Sequence, residues 1–149
     1  MKKLVFYLVL SGLSAASVSC QKNDAVEAPA PATLETDWEW TSSVGGITGK
    51  QITTPATTGV TRKYVFRADG TFIQYDNGQE VQRATYVRGQ GTSLLYNDQR
   101  DIITVNYRIV TPSGTLEHSM RYLVDRLSSA ELVLREDVFD GFLLTFQKK

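Results

Sequence analysis

Cys20 and His118 are each the sole residue of their type in the chain, and the chemistry open to it is bounded by what each could do alone. A single Cys cannot form an intrachain disulfide, and an odd Cys in a secreted chain calls for an intermolecular or covalent fate. A single His serves as general base or zinc ligand only where carboxylates or other donors converge on it. His118 shares its strand face with Leu116, Met120 and Tyr122, so a buried or rim histidine with a satisfied hydrogen bond is expected, and no metal site. Glu136, Asp137 and Asp140 form an acidic cluster beside a turn. A two-carboxylate hydrolase would need such groups across a cleft, whereas acids flanking a turn more simply solvate it. The sequence holds no Gly-x-Ser-x-Gly elbow, phosphate loop or dinucleotide fingerprint. It reads as a non-enzyme without a cofactor.

The N-terminus supplies a fate for the cysteine. Met1-Lys2-Lys3 is basic, Leu4 to Leu10 is unbroken apolar, and small residues continue to Val18. That is the layout of a secretory signal peptide over residues 1–19, and the run is too short to span a bilayer. A buried N-terminal helix is the alternative, and it would lack any polar face. Ser17-Val18-Ser19-Cys20 resembles the lipobox of bacterial lipoproteins, with Ser17 where Leu is commonest. The resemblance implies that the Cys20 thiol receives a diacylglyceryl group and becomes the mature N-terminus. An ordinary signal-peptidase site beside a free Cys is the competing reading. Gln21-Lys22-Asn23-Asp24 resembles the short charged export signals of surface-exposed lipoproteins of the Bacteroidetes, although Asn23 interrupts its acidic part. A plain polar tether fits as well, so an outer-membrane lipoprotein of the cell envelope is expected, with its periplasmic or surface face open.

The whole chain has a formal charge of +0, and loss of Lys2 and Lys3 leaves two more acidic than basic side chains. Arginines occur singly along the chain, which argues against a nucleic-acid footprint. Ala25 to Thr33, with two of the four prolines, reads as an extended spacer, so residues 20–33 form a lipidated tether. Residues 34–149 have the length of one domain.

Within that domain, turn signals alternate with short strand-like runs. Asp69-Gly70, Asn77-Gly78 and Asp140-Gly141 favour tight hairpins, and Pro112-Ser113-Gly114 favours a β-turn. Strands are expected over 37–43, 61–68, 71–76, 80–88, 93–96, 102–110, 115–125, 131–136 and 141–147, with at most one helical turn near 127–131. Ile103, Val105, Tyr107 and Ile109 alternate with polar neighbours, as do Leu116, His118, Met120, Tyr122 and Val124. Period-two alternation is the mark of antiparallel sheets with one buried face. The class is all-β, an up-and-down barrel or a sandwich.

The domain resembles the small lipocalin-like lipoproteins of the Bacteroidetes. Trp38-Glu39-Trp40, Gly45-Gly46, Tyr64-Val65-Phe66 with Asp69-Gly70-Thr71-Phe72, Tyr86, Ser129-Ala130-Glu131-Leu132 and the ending Phe146-Gln147-Lys148 carry that likeness. It implies a barrel of eight or nine short strands with Trp38 or Trp40 plugging one end. It departs from true lipocalins where Thr36 stands two before Trp38, and it lacks their disulfide. A barrel of this size is either filled by side chains or holds one small ligand. Both remain open here, and Trp40, Tyr64, Phe66, Tyr107, His118 and Tyr122 are the candidate inward or rim positions for a small apolar or amphipathic molecule. The long Thr/Gly-rich segment 44–60 reads as a lid, a contact surface or a disordered tip. A monomer held to the membrane by its lipid is expected. A filled barrel acting as a protein-interaction module is the alternative.

Overall fold

The structure is a computed structural model, and it describes residues 32–149. Nine strands and one short helix follow in chain order. They are β1 (Asp37–Gly45), β2 (Gln51–Thr53), α1 (Pro55–Thr58), β3 (Arg62–Phe66), β4 (Thr71–Asp76), β5 (Gln79–Thr92), β6 (Gln99–Thr111), β7 (Gly114–Leu127), β8 (Glu131–Glu136) and β9 (Phe142–Lys148). All pairings are antiparallel between neighbours, and β1 also pairs with β9 from Trp38↔Lys148 to Gly45↔Phe142. The result is a closed up-and-down barrel of eight strands with β2 as an extra one. Its place is simple: β3 takes one edge of β1 over Asp37–Glu39, and β2 takes the same edge over Ser43–Gly45.

Local sequence accounts for the corners. Asn77 and Gly78 both adopt positive φ (51° and 79°), the geometry of a two-residue hairpin that matches strand twist. Gly114 has φ 139° after Pro112-Ser113 and closes the β6–β7 hairpin against Thr111. The Asp140-Gly141 expectation is corrected. The β8–β9 connection is longer, and Gly141 does not take positive φ. It is needed for space instead, because a Cβ there would lie 2.7 Å from the Glu136 Cβ and 2.9 Å from the Glu136 carbonyl oxygen.

Three further expectations are corrected. Residues 93–96 form a turn, since the Ser93 hydroxyl accepts the Leu95 and Tyr96 amides and so bends the backbone into a loop. Between β7 and β8 the chain makes a tight non-helical turn, with the Ser128 amide donating to the Glu131 carbonyl. The segment 44–60 is largely ordered. It holds the end of β1, then β2, then α1, whose first turn is fixed by Thr54 and Thr57 exchanging side-chain and backbone hydrogen bonds.

Inward side chains fill the barrel. Trp38, Phe66, Phe72, Ile103, Val105, Leu132, Leu134 and Phe146 are fully buried, and Tyr64, Tyr86 and Tyr122 nearly so. Rings interlock: Tyr64 meets Phe146 at 4.8 Å and Phe72 at 5.0 Å, and Phe66 meets Tyr86 at 5.0 Å. The N-terminal end is closed by Leu34, whose carbonyl accepts the Trp38 indole N–H at 3.0 Å. Fully buried aromatic and aliphatic side chains contribute about 1.5–3 kcal/mol each relative to exposure, so the core is the main source of stability.

Candidate functional site

The six sequence candidates do not share one surface. Phe66 lies deep in the half of the core near the N-terminal end, against Phe72 and Tyr86. Trp40, Tyr64 and Tyr122 are buried, with the Trp40 indole N–H donating to the Ser43 hydroxyl at 2.8 Å. Tyr64 and Tyr122 belong to the core, Tyr107 packs against it, and the Tyr122 hydroxyl donates to the Met120 sulfur at 3.8 Å. Burial pushes all three phenols above their ordinary ionisation range. They therefore stay protonated at any physiological pH. Arg62 flanks them, paired with Asp76 at 2.8 Å and lying 5.8 Å from the centre of the Trp40 ring.

His118 differs from the expectation. It is exposed, stacks on Tyr107 at 6.2 Å, and makes no side-chain hydrogen bond to another described residue. The cause is strand length. The β5–β6 ladder ends at Thr85↔Asn106, and the β7–β8 ladder ends at Tyr122↔Glu136. Beyond those points β6 and β7 pair only with each other, so they leave the barrel as a two-stranded ribbon. Ile109 and Leu116, which their alternation would place in a core, sit on that ribbon half exposed, and Val110 is 78% exposed.

Strand alternation fixes where the ribbon's free backbone groups point. The Tyr86 amide donates to Gly70 beside β4, so Thr85 and Val87 direct theirs at β6. Their partners Asn106 and Thr104 face β5, and by the same period Arg108 and Val110 present open amides and carbonyls. On the other side, the Asp137 amide donates to the Arg121 carbonyl. Arg121 thus faces β8, and Ser119, Glu117 and Thr115 face outward with no strand opposite. The two deductions agree, because Asn106↔Ser119 and Arg108↔Glu117 must both be non-bonded pairs.

Each edge borders a hollow. Where β5 and β6 splay, a cleft of about 530 Å³ is lined by Arg83, Ala84, Asn106, Tyr107, Arg108 and Glu117 among others. Beside β7, a hollow of about 170 Å³ is lined by Leu94, His118, Met120, Arg121, Glu136 and Val138 among others. The second exists because the β5–β6 loop folds onto the wall of the barrel and is held there by Asp137.

Asp137 is the residue that sequence reasoning misplaced. It does not solvate a turn but is fully buried. Its carboxylate accepts from the Ser93 hydroxyl (2.8 Å), the Leu94 amide (2.9 Å) and the Leu95 amide (3.1 Å), and lies 3.1 Å from Arg121. Burial alone would raise its pKa. The three donors and the Arg121 charge outweigh that and hold the carboxyl below its ordinary range. Arg121 in turn donates to the Thr92 carbonyl at 2.7 Å. The only sequence signal was Ser93 ahead of two apolar residues, which looked like a strand start.

Among the described residues no three His, Cys, Asp or Glu side chains are placed to share a metal ion. Cys20, residues 1–19 and most of the tether lie outside the described residues, so the expected lipidation has no structural counterpart here. Comparison with protein-family models, curated proteins and solved structures finds no match to this chain.

Proposed function

We propose that this chain is a lipid-anchored protein of the cell envelope, held through Cys20, whose lipocalin-like barrel is a solid scaffold presenting the β6–β7 ribbon to a protein partner. The observation that carries this reading is the contrast between interior and ribbon. Trp38, Phe72, Ile103, Val105, Leu132, Leu134 and Phe146 are 0% exposed, so no water-sized space borders them. The ribbon, by contrast, leaves Ile109, Val110 and Leu116 in solvent along two open edges. Soluble proteins ordinarily protect such edges, because unpaired strand backbone invites pairing. Sequence supports the anchor: the basic start, the apolar run and the lipobox-like tetrapeptide precede the chain's single Cys. The described chain enters at the end of the barrel where β1 starts and the ribbon leaves by the other end, which fits a partner approaching from the side away from the anchor. A photo-cross-linker at Val110 in intact cells should trap one dominant protein. Diffuse capture, equal to that from a cross-linker at exposed Gln79, would defeat the reading.

The second reading is a small apolar or amphipathic ligand, supported by the protonated Tyr64–Tyr107–Tyr122 cluster and the neighbouring cleft of about 530 Å³, a size within the usual range for ligand sites. Native mass spectrometry of the chain purified from its own host distinguishes the two. A constant bound mass would favour the ligand, and a protein that always emerges empty would favour the solid scaffold.

A further inference from the structure

We propose that the outer edge of β7, over Thr115–Ser119, takes an extended segment of a partner polypeptide as an added strand. The segment would carry an aliphatic side chain for the hollow beside Leu94 and a basic residue near Glu136. This rests on the reading of the ribbon as a partner-binding element and names what it binds.

The occupant follows from the groups on the edge. Thr115, Glu117 and Ser119 point three amides and three carbonyls outward at strand spacing, with no strand opposite. Another extended backbone matches alternating donors and acceptors of that period, in place of the water that otherwise satisfies them. The position is the continuation of β8, which covers β7 from Tyr122 to Leu127 and then turns away at Asp137. An incoming strand therefore lies in line with β8, with Leu94 and Val138 beside it where β8 has stopped.

Strand addition gains specificity from hollows that receive alternate side chains. One lies at the base of this edge, about 170 Å³ in volume, walled by Leu94, Met120 and Val138. It admits a leucine-sized group. Leu94 and Val138 are 61% and 53% exposed, so apolar surface is waiting to be covered. Of the charged groups in its wall, Arg121 is taken up by Asp137, and Glu136 at the end of β8 is left with no cation among the described residues. A lysine on the incoming segment complements that carboxylate. The opposite edge has fewer open positions, Arg108 and Val110 alone, so it suits this segment less well.

The test uses the whole chain in detergent micelles and a fluorescein-labelled peptide, acetyl-Lys-Thr-Val-Thr-X-Thr-Val-Lys-amide, with X as Ala, Val, Leu, Ile or Phe. Fluorescence anisotropy should show saturable binding for Leu or Ile, tighter than about 1 mM, and at least about tenfold weaker for Ala. Methylating alternate peptide amides should abolish binding, and the Glu117 and Ser119 amides should exchange more slowly when the peptide is present. Glu117→Pro removes an outward donor without touching a β6–β7 bond and should abolish binding, as Leu94→Ser should weaken it. If Glu117→Pro fails to fold, Thr115→Pro at the ribbon's outer part takes its place. Absence of saturable binding across the panel, or equal binding by the methylated peptides, overturns the proposal. So does concentration-dependent dimerisation of the chain alone that protects the same amides, because the occupant is then a second copy. A dominant cross-link at Val110 with no peptide binding leaves the partner reading standing and removes only this inference. Peptide binding without a cellular cross-link does the reverse.

Discussion

The carboxylate of Asp137 receives the Ser93 hydroxyl at 2.8 Å across 44 positions of sequence. That bond, with the Leu94 and Leu95 amides, fastens the β5–β6 loop to the end of β8. Replacing Asp137 with Ala leaves these donors and the nearby Arg121 charge without their acceptor. A loss of roughly 3 kcal/mol is expected, the scale for breaking a buried charged network. Urea unfolding of wild type and variant measures it.

Acid should act through the same residue. Its folded pKa lies below the unfolded value, so its contribution is complete at neutral pH and fades as pH falls through the folded value, below about 4. Asp137→Asn should flatten the stability–pH curve between about pH 5 and 2. An acid limb identical to wild type would show that the folded carboxyl is not depressed.

Alkali should act through the phenols. Tyr64 and Tyr122 ionise in the folded state well above the unfolded value of about 10. Their contribution is therefore whole below that pH and erodes above it. Absorbance at 295 nm should show two phenols ionising only together with unfolding, and Tyr122→Phe should remove one of them from that step.

Core and ribbon should respond oppositely to truncation. Phe72→Ala empties the packed centre and should cost about 3–5 kcal/mol. Val110→Ser removes a side chain already in water and should change stability by less than about 0.5 kcal/mol, while reducing any cross-link made at the ribbon.

Cys20→Ser bears on the anchor. The variant should either leave the membrane fraction or retain residues 1–19, as fractionation and intact mass would show. A cleaved variant that stays membrane-bound would remove lipidation from the account.

Period-two alternation and Gly-bearing turns made the barrel legible, because each strand must bury one face. Asn77-Gly78 even disclosed its turn geometry. The site was less legible. His118, Ile109 and Leu116 continue the alternation of their strands without a break, yet no residue in β6 or β7 records that β5 and β8 stop pairing at Thr85 and Glu136. Burial there depends on the length of neighbours, which is a property of the closed sheet. Asp137 was obscure for a related reason. Its partners at 93–95 reach it only after the β5–β6 loop has folded back, and local chemistry makes an acid near Gly141 look like a solvated turn.

The barrel closes where β1 meets β9, as in the hydrogen bond from the Thr41 hydroxyl to the Thr145 carbonyl, 104 residues apart. That seam makes folding a matter of chain order. The successive hairpins from β3 to β8 can form as they emerge, but β1 must wait for almost the last residues before its second edge is covered. Contacts of such separation slow folding. In the interval β1 has a bare edge and the aromatic interior is unclosed, so a chaperone that shields Trp38 and Trp40 would matter most just before Phe142–Lys148 arrives.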